Sequence, residues 1–160
     1  MNIRDAFRQS MDMGQMVSMA YLEDLTDEEM MHRPAPESNH IKWQVGHLIA
    51  SENNLLNTAV PGAAPALPEG FAERYAKETA KSDDPGAFDT KADLLSLYRE
   101  QRDASLAALG KVSDAEFDRE TGFDYAPTVG AIFSLLGGHW LMHAGQWAVI
   151  RRQLGRSPLF

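Results

Sequence analysis

Apolar residues recur at three- and four-residue steps through four long stretches of this chain, and no stretch alternates over a useful length, so helices must build its core. The last stretch is the longest. Its stripe runs through Ile132, Leu136, His139, His143, Trp147 and Ile150, with Thr128 placed to cap its start and Gly155 its end. Ile3, Phe7, Met11, Gly14, Val17 and Tyr21 predict a first helix over about residues 3–24. A second helix begins after Ser38 or Asn39, carries Ile41, Val45, Leu48, Ile49, Leu55 and Leu56 inward, and ends before Pro61. A third follows Asp89 or Thr90, with Leu94, Leu95, Tyr98, Ser105, Leu106 and Leu109 near its inner face.

The segments between these helices set their order in space. Thr26 with Glu29 and Ser113 with Glu116 have capping-box spacing and predict short turns, the first stopped by Pro34 and the second running through Phe117. Residues 59–88 are rich in Pro, Gly and Ala, with room only for a short helix around FAERYAKE. A link of about 30 residues far exceeds what an antiparallel helix hairpin needs, so it predicts a crossover that leaves the second and third helices parallel. The expected fold is all-α: a four-helix bundle, up-down-down-up, forming one domain over residues 1–160.

Composition removes whole classes of function. There is no cysteine, which excludes disulfides, zinc fingers, iron–sulfur clusters and a cysteine nucleophile, and leaves imidazole and oxygen groups as the metal ligands. Any thiol chemistry would need a thiol from the substrate. Fifteen Lys and Arg against 23 Asp and Glu give a net charge of −8, which repels nucleic acid and anionic membrane surfaces. The N-terminal segment carries Arg4, Asp5, Arg8 and Asp12 where a signal peptide would be apolar, and no run approaches the roughly 20 apolar residues of a membrane span. The expectation is a cytoplasmic protein that binds neither nucleic acid nor membrane.

His139 and His143 stand four apart on the last helix and aim at one point, and His47 lies close to the inward side of the second helix. Three imidazoles brought together in a core are costly unless their nitrogens find partners, and one divalent ion satisfies a nitrogen on each. The three would leave an open coordination position, the mark of a catalytic rather than a structural site. Gln146, three residues past His143, and Asn54, seven past His47, are candidates to orient a ligand or bound water.

Other motifs lead nowhere. Trp140 stands where the HExxH metalloproteases have their glutamate, and the lone ExxH of Glu29 to His32 lacks the second copy and extra carboxylates that a di-iron bundle requires. His32 and His40 fall in predicted connections, where solvated histidine is expected. Trp43, Trp140 and Trp147 read as packing, and the methionines of the first helix as filler or an interface. Arg151, Arg152 and Arg156 complement the last helix dipole.

The order of a histidine within WQVGHLIASE followed by HWLMHAGQWAVIRRQLG near the C-terminus resembles the DinB-like (DinB/YfiT) superfamily of small bacterial proteins, and the likeness spans nearly the whole chain. The resemblance implies an up-down-down-up bundle, usually a homodimer, holding a divalent metal, zinc or nickel, with His47, His139 and His143 at the ligand positions. Many members carry glutamate after the first histidine of the pair; here it is Trp140. Characterised relatives include thiol-dependent S-transferases and a thiol-dependent isomerase. The function expected is a metal-dependent transferase acting on a low-molecular-weight thiol as its small-molecule substrate. A metal-dependent hydrolase and a non-catalytic dimeric bundle that binds a metal or ligand are the alternatives.

Overall fold

The computed structural model describes residues 1–160, of which four long helices form the body: α1 (Ile3–Leu22), α2 (Ile41–Ala59), α4 (Lys91–Leu109) and α5 (Val129–Gln153). One short helix, α3 (Phe71–Arg74), lies in the connection between α2 and α4. No helix is long and apolar enough to cross a membrane.

Side chains satisfy the first free amides of the long helices as the sequence predicts for α4 and α5. Thr90 accepts from the Asp93 amide and Thr128 from that of Ala131, while Asn2 and Asp5 form a reciprocal box at α1. Both predicted capping boxes are present. Thr26 N donates to Glu29 Oε2 at 2.8 Å and Glu29 N to Thr26 Oγ1 at 3.1 Å, and Ser113 with Glu116 opens the 3-10 turn Asp114–Asp118.

The cap of α2 departs from expectation. His40 is fully buried rather than solvated; its Nδ1 accepts the Trp43 amide at 3.0 Å and its Nε2 lies 3.2 Å from the Ser82 carbonyl. Because a backbone amide can only donate, Nδ1 carries the lone pair and Nε2–H donates to Ser82. Burial, with Arg33 nearby, pushes this imidazole down to about 4, so it caps in its neutral form.

A second departure is a short antiparallel hairpin, β1 (Glu120–Phe123) and β2 (Ala126–Thr128), which pairs Glu120 with Thr128 and Phe123 with Ala126. Strands this short carry too few residues to show a period of two. Arg119 just before it donates to the Ala59 carbonyl, and the Val129 amide donates to the Arg119 carbonyl at 3.0 Å, which ties the hairpin to the end of α2 and the start of α5.

The core has two apolar clusters. One gathers Leu22, Ile41, Leu48, Trp140, Trp147 and Ile150; the other gathers Met11, Leu55, Leu109, Phe117, Ile132 and Phe133. The three tryptophans are buried, as read from their spacing. Helices α1 and α5 approach to backbone contact at Gly14 and Gly137: a Cβ on Gly137 would lie 2.4 Å from the Ser10 carbonyl oxygen, and one on Gly14 2.7 Å from that of Gly137. Phe7 packs on Phe133, and Arg151 donates to the Tyr21 carbonyl at 2.8 Å. Besides facing the helix dipole, Arg151 and Arg156 pair with Asp24, and Arg156 also with Glu29, which clamps the ends of α1 and α5 together.

Candidate metal centre

Two helical i, i+4 pairs face one another across the α2–α5 contact. On α2, Trp43 stacks on His47 with ring centroids 4.9 Å apart and planes 7° from parallel, which fixes the orientation of that imidazole. Trp43 is itself held by its indole N–H, which donates to Thr79 Oγ1 at 3.1 Å and lies 3.3 Å from the Ala76 carbonyl. The long connection therefore braces the site from outside. On α5, the rings of His139 and His143 lie 5.0 Å apart, and His47 is 5.7 Å from the first and 5.9 Å from the second.

One nitrogen from each imidazole lies within 4.8 Å of the others, and no carboxylate joins the group. An ion bound tetrahedrally at about 2.0–2.1 Å asks for nitrogens a little over about 3 Å apart, which lies inside the 4.8 Å limit that the three share. Protonation does not stand in the way. Burial, reinforced by the neighbouring imidazoles, pushes His139 and His143 down to about 4. Burial lowers His47 too, helped by Lys77 and opposed by a hydrogen bond to the Tyr75 backbone. Imidazoles that stay neutral at pH 7 keep a lone pair for a metal. His143 is buried, while His47 and His139 are partly exposed and leave the group open on one side. The three residues thus fit a divalent ion by donor type, spacing and charge state.

A ring nitrogen of His143 has a protein partner that spacing along one helix does not reveal. Gln44, fully buried one turn before His47, places Oε1 2.7 Å from His143 Nδ1 and 2.9 Å from Trp147 Nε1. Gln146 and Asn54, which helical spacing suggested for this kind of role, are both exposed and hold no hydrogen bond to the imidazoles. The Glu29–His32 match is taken up elsewhere, since Glu29 pairs with Arg156 and His32 with Gln153 at 2.9 Å.

Beside the triad the core carries a buried ion pair. Glu52 accepts from Arg102 Nη2 at 2.9 Å, Ser105 Oγ at 2.7 Å and Trp140 Nε1 at 2.8 Å, so the residue next to His139 is anchored to a carboxylate on α2. Burial raises the pKa of Glu52 and these three donors oppose the rise. The signal for this network was present in the pattern: Glu52 and Arg102 occupy stripe positions of their helices where an apolar residue is the rule. A surface cleft of about 540 Å³ between α1 and α4 includes no residue of the triad.

The model of the DinB superfamily matches residues 11–147 of the chain. No curated protein sequence matches it. The matched span begins within α1, takes in all of α2 and α4 and follows α5 as far as Trp147, past all three histidines, so the chain belongs to the DinB superfamily.

Proposed function

We propose that this protein is a divalent-metal-dependent enzyme that activates a low-molecular-weight thiol for transfer to an electrophile. The observation that carries the reading is the cluster of three imidazoles, open on one side, with no carboxylate among them and no cysteine anywhere in the chain. Imidazole donors suit zinc and nickel. A divalent ion held there would supply Lewis acidity, lowering the pKa of a thiol that reaches it. The chain's own residues define the rest of the site. Three neutral ligands leave the charge of a dication unopposed, which favours an anionic group beside it. Buried Trp43 on His47 and buried Gln44 on His143 back the triad from one side, and the partly exposed edges of His47 and His139 admit the substrate. With no nucleophile of its own among these groups, the site depends on one that the substrate brings.

The reading places the triad inside one domain with an up-down-down-up bundle. Phe7 on Phe133 and Tyr21 on Arg151 support parallel α1 and α5; Gln44 with Trp147 and Glu52 with Trp140 support antiparallel α2 and α5. The exposed methionines Met13, Met16 and Met142 support a homodimer through α1 and α5, which light scattering at the 17.7 kDa monomer mass across micromolar concentrations would contradict.

The test of the activity is a panel of small thiols with a reactive electrophile, run with zinc- or nickel-loaded protein. Conjugation should exceed the spontaneous rate, by most below the free thiol's pKa of roughly 8.5, and His143→Ala should abolish the gain. Thiol binding without any rate advantage would replace the enzyme with a binding module.

A further inference from the structure

We propose that Gln44 is a positioning residue that fixes the tautomer of His143, so that this imidazole presents Nε2, and only Nε2, to the ion. The inference rests on the metal reading of the triad and goes beyond it, because it assigns the ligating atom and names the residue that selects it.

Two partners of the Gln44 amide have roles that cannot change. An indole N–H only donates, and a backbone carbonyl only accepts. Trp147 Nε1 lies 2.9 Å from one end of the Gln44 amide, and the Asn39 carbonyl lies 2.7 Å from the other. Those two contacts orient the amide: its oxygen faces Trp147 and its nitrogen faces Asn39. The same oxygen is 2.7 Å from His143 Nδ1. Two lone pairs at that distance repel, so Nδ1 must carry the proton and donate it. In the neutral ring this leaves the lone pair on Nε2.

Gln44 has little freedom to do otherwise. It is fully buried, it stands in the first turn of α2, and its amide is held at both ends by separate elements. The opposite tautomer would leave a buried Nδ1 lone pair facing the Gln44 oxygen and place a proton on the nitrogen turned to the ion. An amide also differs from the carboxylate that more often backs a metal-bound histidine. It selects the same tautomer without adding negative charge, so the ion retains its full attraction for an anionic substrate group.

Two substitutions separate this role from simple packing. Gln44→Met is close in size and removes the acceptor. Gln44→Glu keeps an acceptor toward His143 and Trp147, and burial together with the Asn39 carbonyl favours its protonated form, which has the shape of the amide. The readouts are the ¹⁵N shifts of the histidine rings in metal-free protein and the zinc affinity by chelator competition, both without any thiol. The wild-type His143 should show a protonated Nδ1 and a bare Nε2. Gln44→Met should lose that preference and bind zinc about 10- to 100-fold more weakly, while Gln44→Glu should retain the tautomer and an affinity within about threefold. A wild-type His143 protonated at Nε2 would overturn the proposal, and this spectrum needs no variant to fold. Unchanged zinc affinity in Gln44→Met, or an equal loss in both variants, would overturn it as well. Failure of thiol transfer would leave these outcomes untouched.

Discussion

Glu52→Ala should be among the most damaging single changes outside the triad. The carboxylate is 2 % exposed and Arg102 1 %, so removing it strands a guanidinium in the core with the Leu136 carbonyl, 3.2 Å from Nη2, as its remaining acceptor. Arg102 is poorly matched even in the intact protein, since its Nε and Nη1 have no partner. Breaking a buried pair in this way costs about 3–5 kcal/mol, a large share of the roughly 5–15 kcal/mol that holds a domain together. At about 2–4 °C per kcal/mol for a chain of this size, the melting temperature should fall by roughly 6–20 °C. Replacing both charges with apolar groups, Glu52→Leu with Arg102→Met, removes the stranded cation. It still leaves Ser105 Oγ and Trp140 Nε1 without their acceptor, at about 1–3 kcal/mol each for a buried unmatched group. The double variant should therefore be at least about 2 kcal/mol more stable than the sum of the two single losses allows. Urea unfolding of the metal-free wild type, Glu52→Leu, Arg102→Met and the double variant, with matched m-values, measures all four corners of the cycle, and the same method gives the Glu52→Ala loss. Strict additivity, or a Glu52→Ala loss below about 1 kcal/mol, would show that the two charges are not coupled in the core.

Two further outcomes follow from the packing and the caps. Gly137→Ala puts a Cβ 2.4 Å from the Ser10 carbonyl and should cost about 1–3 kcal/mol, whereas Gly138→Ala meets nothing within 4 Å and should gain about 0.5–1 kcal/mol from helix propensity; equal effects in chemical melts would contradict the close approach of α1 and α5. His40 is held neutral in the fold down to about 4, while the unfolded chain takes up its proton near 6.5, so the stability it contributes is present above pH 6.5 and lost as pH falls toward 4, by about 3 kcal/mol. His40→Asn keeps a capping side chain that does not titrate and should flatten part of that loss in urea midpoints taken between pH 7.5 and 4.5; an unchanged pH dependence would count against the buried cap.

The helices and the triad were legible because both are written in spacing along one chain direction. Apolar steps of three and four marked α1, α2, α4 and α5, and the His139–His143 interval marked one wall of the centre. What the spacing missed depends on contacts across the fold. His40 is buried because residues of the long connection, Ser82 and Phe88, close over it, and nothing near residue 40 announces that. Gln44 reaches His143 only because α2 and α5 pack with that register, whereas Gln146, on the right helix, faces out. The hairpin after residue 119 is too short to show a period. Glu52 was recoverable, since it interrupts an apolar stripe that otherwise reads cleanly through α2.

Whether the triad holds a metal is decided by the metal content of protein purified without a histidine tag and titrated with zinc or nickel. One ion should bind per chain, with occupancy lost steeply in His47→Ala, His139→Ala and His143→Ala alike, because each supplies one of the three nitrogens gathered within 4.8 Å. Substoichiometric metal in the wild type, or full affinity retained in His47→Ala, would contradict it.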